Sequence, residues 1–165
     1  MLTHIQIFTT GGTIDKVYFD AKSAFEVGTP QAGAVFEESN VGFAFTLTSL
    51  LRKDSLDLTE ADRQLIQNAV SSSDSRTILI THGTDTMVET AVTLLELARV
   101  QEKVIVLTGA MAPARFQPSD AEFNLGCAVG ALGCKPPGVY IAMSGQIFDA
   151  DQVRKNRDLG RFESR

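Results

Sequence analysis

Thr77-Ile78-Leu79-Ile80-Thr81, running straight into His82-Gly83-Thr84-Asp85-Thr86-Met87, decides the fold class. The first five residues are apolar at the centre and hydroxylated at both ends, as in a strand buried on both faces. A glycine turn follows. Thr86-Met87-Val88-Glu89 then has the spacing of a helix capping box, and Met87, Ala91, Leu94, Leu95 and Ala98 form the apolar stripe of the helix behind it. A buried strand, a short turn and an amphipathic helix make the repeating unit of an α/β fold with a largely parallel sheet.

The same alternation runs outward in both directions. Upstream, Ile5-Gln6-Ile7-Phe8-Thr9 reads as a strand ending at Gly11-Gly12, and Val41, Phe43, Phe45 and Leu47 alternate as a second strand. Residues 15 to 34 lack periodicity, carry Gly28, Pro30 and Gly33, and predict a long loop of the kind that serves as a lid, with room for a hairpin. Thr59 caps a helix whose apolar positions are Leu65, Ile66, Ala69 and Val70, and Ser71 to Ser75 form a polar connector. Downstream, Val104-Ile105-Val106-Leu107-Thr108 is a buried strand. Ser119-Asp120-Ala121-Glu122 is a second capping-box signature, opening a helix that ends near Gly133. Pro136-Pro137-Gly138 breaks the chain, Val139-Tyr140-Ile141-Ala142-Met143 is a further strand, and a charged tail runs from Asp149 to Arg165. The predicted architecture is a single three-layer α/β domain over residues 1–165, with a mainly parallel sheet and helices on both faces.

Bulk composition agrees. A chain of 165 residues suits one domain, and 44% hydrophobic residues is a globular composition. The net charge of -5 argues against a broad nucleic-acid footprint. No apolar run approaches the ~18 residues that suggest a membrane span. The N-terminus, Met1-Leu2-Thr3-His4, shows no basic region followed by an apolar one, so no secretory signal is expected. Cys127 and Cys134 lack a CxxC spacing and the chain has two histidines, which does not make a zinc site; a reducing cytoplasm fits.

Three strands end in hydroxyl-rich or glycine-bearing turns: Thr9-Thr10-Gly11-Gly12-Thr13, Thr81-His82-Gly83-Thr84-Asp85 and Thr108-Gly109-Ala110-Met111. Ligands of open α/β sheets bind outside the carboxyl ends of the strands, so all three turns would line one edge. The first turn could instead hold a phosphate, but GxGxxG and GxxxxGK[ST] are both absent. Thr13 also suits a tight turn with a satisfied hydroxyl. Thr84 and Asp85 suit simple capping, although Thr86 with Glu89 would leave them free for a cleft. His82 fits a turn residue as well as a catalyst.

Thr10-Gly11-Gly12-Thr13-Ile14 and Thr81-His82-Gly83-Thr84-Asp85-Thr86-Met87 resemble the two signature stretches of bacterial-type L-asparaginases. Thr108-Gly109-Ala110-Met111 and Phe123-Asn124-Leu125 are similar to further stretches of that family, in the same order and spacing. The likeness is to the N-terminal domain of the common two-domain form, which a short single-domain type would match.

The resemblance implies an amidohydrolase that converts L-asparagine to L-aspartate and ammonia, with no metal or organic cofactor. It implies Thr13 as nucleophile, with Thr84, Asp85 and Lys155 as the other catalytic residues and Tyr18 as the residue of a mobile lid. Ser55, Gly12, Gly83 and Asp85 would bind the amino-acid substrate. Leu56 stands where the family has a glutamine, and Ala112 where it has an arginine, with Arg115 three residues on. A lysine held away from water could take the proton of a threonine hydroxyl, and backbone N–H groups of the Gly11 and Gly83 turns could hold the oxyanion. The expected partner beyond substrate is a second copy of the chain, a homo-oligomer, because half of the family's usual pocket lies outside this sequence. The alternatives are an asparagine- or aspartate-binding regulatory domain, or an inert fragment of a longer amidohydrolase.

Overall fold

The computed structural model describes residues 1–20 and 23–165. Along the chain come β1 (His4–Gly11), β2 (Lys16–Phe19), β3 (Ala24–Val27), α1 (Ala32–Glu38), β4 (Ala44–Lys53), α2 (Glu60–Ser72), β5 (Thr77–Thr81), α3 (Met87–Thr93), α4 (Leu95–Val100), β6 (Val104–Thr108), α5 (Ala121–Cys134), β7 (Gly138–Met143), β8 (Gln146–Asp149), β9 (Val153–Asn156) and β10 (Arg161–Ser164). A six-stranded sheet has the order β4-β1-β5-β6-β7-β8. All its pairings are parallel except β7 with β8. The fold class is the predicted one: an α/β sandwich around a mostly parallel sheet.

Alternation along each inner strand builds two cores. Ile5, Ile7, Leu79, Val104, Val106, Tyr140 and Ala142 point to one face, where Val35 and Phe36 of α1 and Leu125, Ala128 and Leu132 of α5 cover them. Phe8, Ile78, Ile80, Ile105, Leu107, Val139 and Ile141 point to the other, under Ile66 and Val70 of α2, Met87 and Ala91 of α3, and Ala98 of α4. The chain leaves β1 for β4 on one side and returns to β5 on the other. That reversal opens a crevice between the carboxyl ends of β1 and β5, where doubly wound sheets bind ligands.

Several sequence expectations are corrected. The strand read over residues 41–47 is β4, which pairs only from Ala44 and continues to Lys53. The alternation starts earlier because Phe43 and Phe45 both pack on Phe36, at 5.5 and 5.7 Å between ring centroids. The long loop of residues 15–34 does contain a hairpin, β2–β3, for which the sequence left room. It also leads into the unpredicted α1, whose Ala32, Val35 and Phe36 make a stripe too short to register as periodic. The helix after Thr86 is two helices meeting at Leu94. The Thr93 hydroxyl takes the Thr90 carbonyl, and Gln67 of α2 takes that of Thr93. The charged tail from Asp149 holds a hairpin of β9 and β10, because Val153 and Phe162 are buried in the second core.

The capping signatures divide in the same way. Thr59 caps α2 in a complete box with Asp62. The boxes read at Thr86–Glu89 and Ser119–Glu122 do not form. The Thr86 hydroxyl donates instead to the Ser55 carbonyl at 2.7 Å. The Asp120 carboxylate accepts the N–H groups of Met111 and Ala112, each at 3.0 Å. The Thr86 hydroxyl is spent on a turn 31 residues away, and the Asp120 carboxylate on the turn of residues 111–112 within its own loop.

Candidate active site

β1, β5 and β6 are adjacent and parallel, so the turns that follow them lie side by side. Two glycines let them touch. Gly12 has φ of 86°, and a side chain there would run into the backbone of Gly83. A Cβ on Gly83 would lie 2.6 Å from the Ser55 side chain. Thr13 and Thr84, each one residue on, are thereby brought to the same crevice. His82 supports this turn from below. It is fully buried, its Nδ1 donating to the Gly83 carbonyl at 2.7 Å and its Nε2 accepting from the Thr90 hydroxyl at 2.8 Å. Burial lowers its pKa to about 4, so it is a neutral structural residue at physiological pH.

Ser55 begins a 3-10 turn (Ser55–Asp57) at the end of β4 and is 1% exposed. Its Oγ accepts the Asp85 N–H at 3.2 Å, and its carbonyl accepts from Thr86. The serine's own O–H remains available to donate. Asp85 is thus fixed by its backbone, with its carboxylate left to turn outward.

β9 supplies the cation. Val153 faces the core, and Lys155, two residues on, points to the same side; Arg154 between them points out and pairs with Glu163 at 2.7 Å. Lys155 Nζ donates to Thr84 Oγ1 and to Asp85 Oδ1, both at 2.8 Å. The Lys155 side chain is 11% exposed, against 32% for that of Asp85. Arg157 Nε lies 3.8 Å from the same Asp85 oxygen. A cavity of about 560 Å³ borders the pair, lined also by Val88, Glu89, Val92 and Arg157.

Thr13 opens a 3-10 turn (Thr13–Asp15), is partly exposed, and its hydroxyl takes no hydrogen bond from the described residues. The N–H groups of Gly83 and Thr84 are likewise without a partner among the described residues, whereas Gly12 N–H is spent on the Lys53 carbonyl at 2.9 Å. Tyr18 sits on β2, 49% exposed, with its ring edge-on to Phe25 at 5.5 Å. The structure therefore gathers Thr84, Asp85, Lys155 and Ser55 by direct bonds and Thr13 by backbone contact, and it does not bring Tyr18 to them. Among the described residues no group of three or more His, Cys, Asp or Glu is placed to hold a metal ion.

Sequence reading missed the roles of four residues. Arg157 was legible only as part of a charged tail. Asp120 and Asn124, spaced i to i+4, brace the Gly109 turn: Asn124 donates to the Gly109 carbonyl at 3.0 Å and to Asp120 at 2.9 Å. Asp15, 1% exposed, carried no signal beyond being acidic in an apolar turn.

The chain has relatives in both sequence and fold. A family model described as the N-terminal part of asparaginase matches residues 4–163. The chain is 33% identical over 164 residues to a probable periplasmic L-asparaginase of Haemophilus influenzae, covering 93% of this chain and 46% of that protein. It is 30% identical over 169 residues to a glutaminase-asparaginase of Pseudomonas fluorescens, with the same coverage of 93% and 46%. It superposes on the thermostable L-asparaginase from Thermococcus kodakarensis with a TM-score of 0.86 at 28% identity, over 98% of this chain and 51% of that one. The chain spans about half the length of the curated relatives it matches. With its fold, its two threonine turns and nearly all of its length accounted for by that match, the chain belongs to the asparaginase family, in the part that forms the family's N-terminal domain.

Proposed function

We propose that this chain is an amidohydrolase that converts L-asparagine to L-aspartate and ammonia through a threonine nucleophile. The observation that carries the proposal is the position of Lys155 Nζ, 2.8 Å from both Thr84 Oγ1 and Asp85 Oδ1, in the crevice that Thr13 borders. Thr13, accessible and with an uncommitted hydroxyl, attacks the side-chain amide carbon. The C–N bond breaks, ammonia leaves with the transferred proton, and an ester remains on Thr13. Thr84 and Lys155 relay the proton and position the water that hydrolyses the ester. The free N–H groups of the Gly83 turn supply donors for the oxyanion. Asp85 receives the substrate α-ammonium, the Ser55 O–H donates to its α-carboxylate, and Gly12 and Gly83 let the substrate approach the backbone. Tyr18, on the hairpin, is the lid residue that comes in from its exposed position when substrate binds.

A homo-oligomer in the cytoplasm, needing no cofactor, completes the proposal. Its support is the openness of the site, where Thr13 is partly exposed and Tyr18 half exposed. The deciding experiment is ammonia release from asparagine and glutamine in parallel, with and without EDTA. Release from asparagine, slower with glutamine and indifferent to EDTA, is expected. No release at high enzyme concentration, with asparagine binding retained in calorimetry, would move the assignment to a binding or regulatory domain. Acid quench with a slow substrate, followed by peptide mapping, should place an acyl adduct on Thr13; an adduct on Thr84 would exchange the two threonines' roles.

A further inference from the structure

The reaction sketched above leaves Asp15 unused, although its placement is costly. The residue is 1% exposed and closes the 3-10 turn that Thr13 opens. It also stands at the neck of the β2–β3 hairpin, where the chain leaves and returns. Its carbonyl accepts the Gly28 N–H at 2.8 Å. Its carboxyl Oδ1 accepts the Gln31 N–H at 2.9 Å. The turn is pinned from its other sides too: Asp15 N–H donates to the Gly12 carbonyl at 3.2 Å, and Ala114 N–H donates to the Ile14 carbonyl at 3.1 Å.

Gln31 is itself held in place. Its Nε2 donates to the Thr29 carbonyl at 2.6 Å, and its Oε1 accepts Arg115 Nε at 2.9 Å. The charged groups near Asp15 are few. Arg52 of β4 acts on it through space, Arg115 is engaged beyond Gln31, and Lys16 is taken by Asp54 at 2.7 Å. Burial without a bonded cation raises the carboxyl to about 7, against the lowering pull of the Gln31 N–H and of Arg52. A buried acid of this kind is retained at a functional site more readily than in a plain loop.

We propose that Asp15 is a positioning residue whose carboxyl group clasps the neck of the hairpin to the Thr13 turn, so that the Thr13 hydroxyl keeps its place independently of the hairpin above it. The link to catalysis rests on Thr13 being the nucleophile of the proposed amidohydrolase; the clasp itself does not.

The test compares the full chain with Asp15→Ala, which removes the acceptor, and Asp15→Asn, which keeps an Oδ1 acceptor without charge. Amide hydrogen exchange is read residue by residue, alongside kcat and KM for asparagine. In Asp15→Ala, protection at Gly28 and Gln31 should fall by roughly fivefold or more relative to the β5 and β6 amides. Its kcat should fall by about tenfold or more, since small displacements of a reacting group are costly, with KM changed less than about threefold. Asp15→Asn should restore both readings.

Uniform loss of protection across the sheet, or none at all, would overturn the clasp, because a general stabilising role moves all amides together. An Asp15→Asn variant that loses protection at Gly28 and Gln31 would overturn it even if Asp15→Ala fails to fold. Should the parent chain release no ammonia, the asparaginase reading fails while the exchange measurement still decides the clasp.

Discussion

Replacing Lys155 with methionine separates chemistry from stability, because the two effects have different sizes in this site. Methionine keeps the length of the side chain and removes the ammonium that bonds Thr84 and Asp85. The stability loss should be modest. Asp85 is 32% exposed and keeps Arg157 Nε at 3.8 Å, so the carboxylate is not stranded in a dry interior. The cost should therefore be about 1 kcal/mol, nearer an exposed ion pair than the ~3–5 kcal/mol of a broken buried one. For a domain of this size that lowers Tm by roughly 2–4 °C. Even a marginal fold of ~5 kcal/mol would then stay well over 99% native.

Loss of a group that moves a proton in the reaction should instead cut kcat by ~100-fold or more. At ~1.4 kcal/mol per factor of ten, that is about 2.7 kcal/mol of transition-state stabilisation. The assay is steady-state ammonia release from asparagine at several substrate concentrations, on protein whose melting has been measured. KM should change less than kcat. A variant within about threefold of the parent kcat would refute the reasoning and make Lys155 a structural cation.

Further outcomes follow from the same geometry. Gly83→Ala places a methyl group 2.6 Å from the Ser55 side chain, so the Thr84–Asp85 turn must shift; kcat should fall by about tenfold or more, and a crystal structure of an active variant with an unmoved turn would count against it. Asp62→Ala removes the carboxylate half of the α2 capping box and the Lys53 ion pair and should cost about 1–2 kcal/mol in urea unfolding at neutral pH. Lys53 first, then the Thr59 N–H, hold the Asp62 carboxyl at about 2, below its ordinary 3.8, so its contribution is present above 3.8 and lost as pH falls through 2; the variant should lack that acid-side loss. His82, depressed by burial from 6.5 to about 4, contributes stability that is present above 6.5 and lost as pH falls through 4, and an NMR titration of its ring with a midpoint near 6.5 would contradict its burial.

Short-range physics made much of this protein legible before any coordinates. The unbroken apolar runs within Thr77–Thr81 and Val104–Thr108 and the helical spacing of Leu65 to Val70 depend only on which faces are apolar, and each predicted an element that is present. The paired turns at Thr13 and Thr84 were visible as motifs because glycine and hydroxyl residues stand at fixed offsets there. Tertiary structure alone decided the rest. Local spacing assigned Thr86 and Ser119 to capping boxes, yet Thr86 answers to Ser55 and Ser119 to the Ala112 carbonyl. The first of these bonds spans 31 residues, and the second closes a loop of irregular backbone that carries no periodic signal.

Family likeness selected Lys155, but its bonds to Thr84 and Asp85, 71 and 70 residues away in sequence, exist because Val153 and Phe162 fold the last hairpin onto the second core. Asp15 is the extreme case. Nothing local marks it, since the packing around the hairpin neck buries it, and that burial raises its pKa against the lowering pull of the Gln31 N–H. Periodicity encodes which way a side chain faces; only the packed chain determines what it meets there.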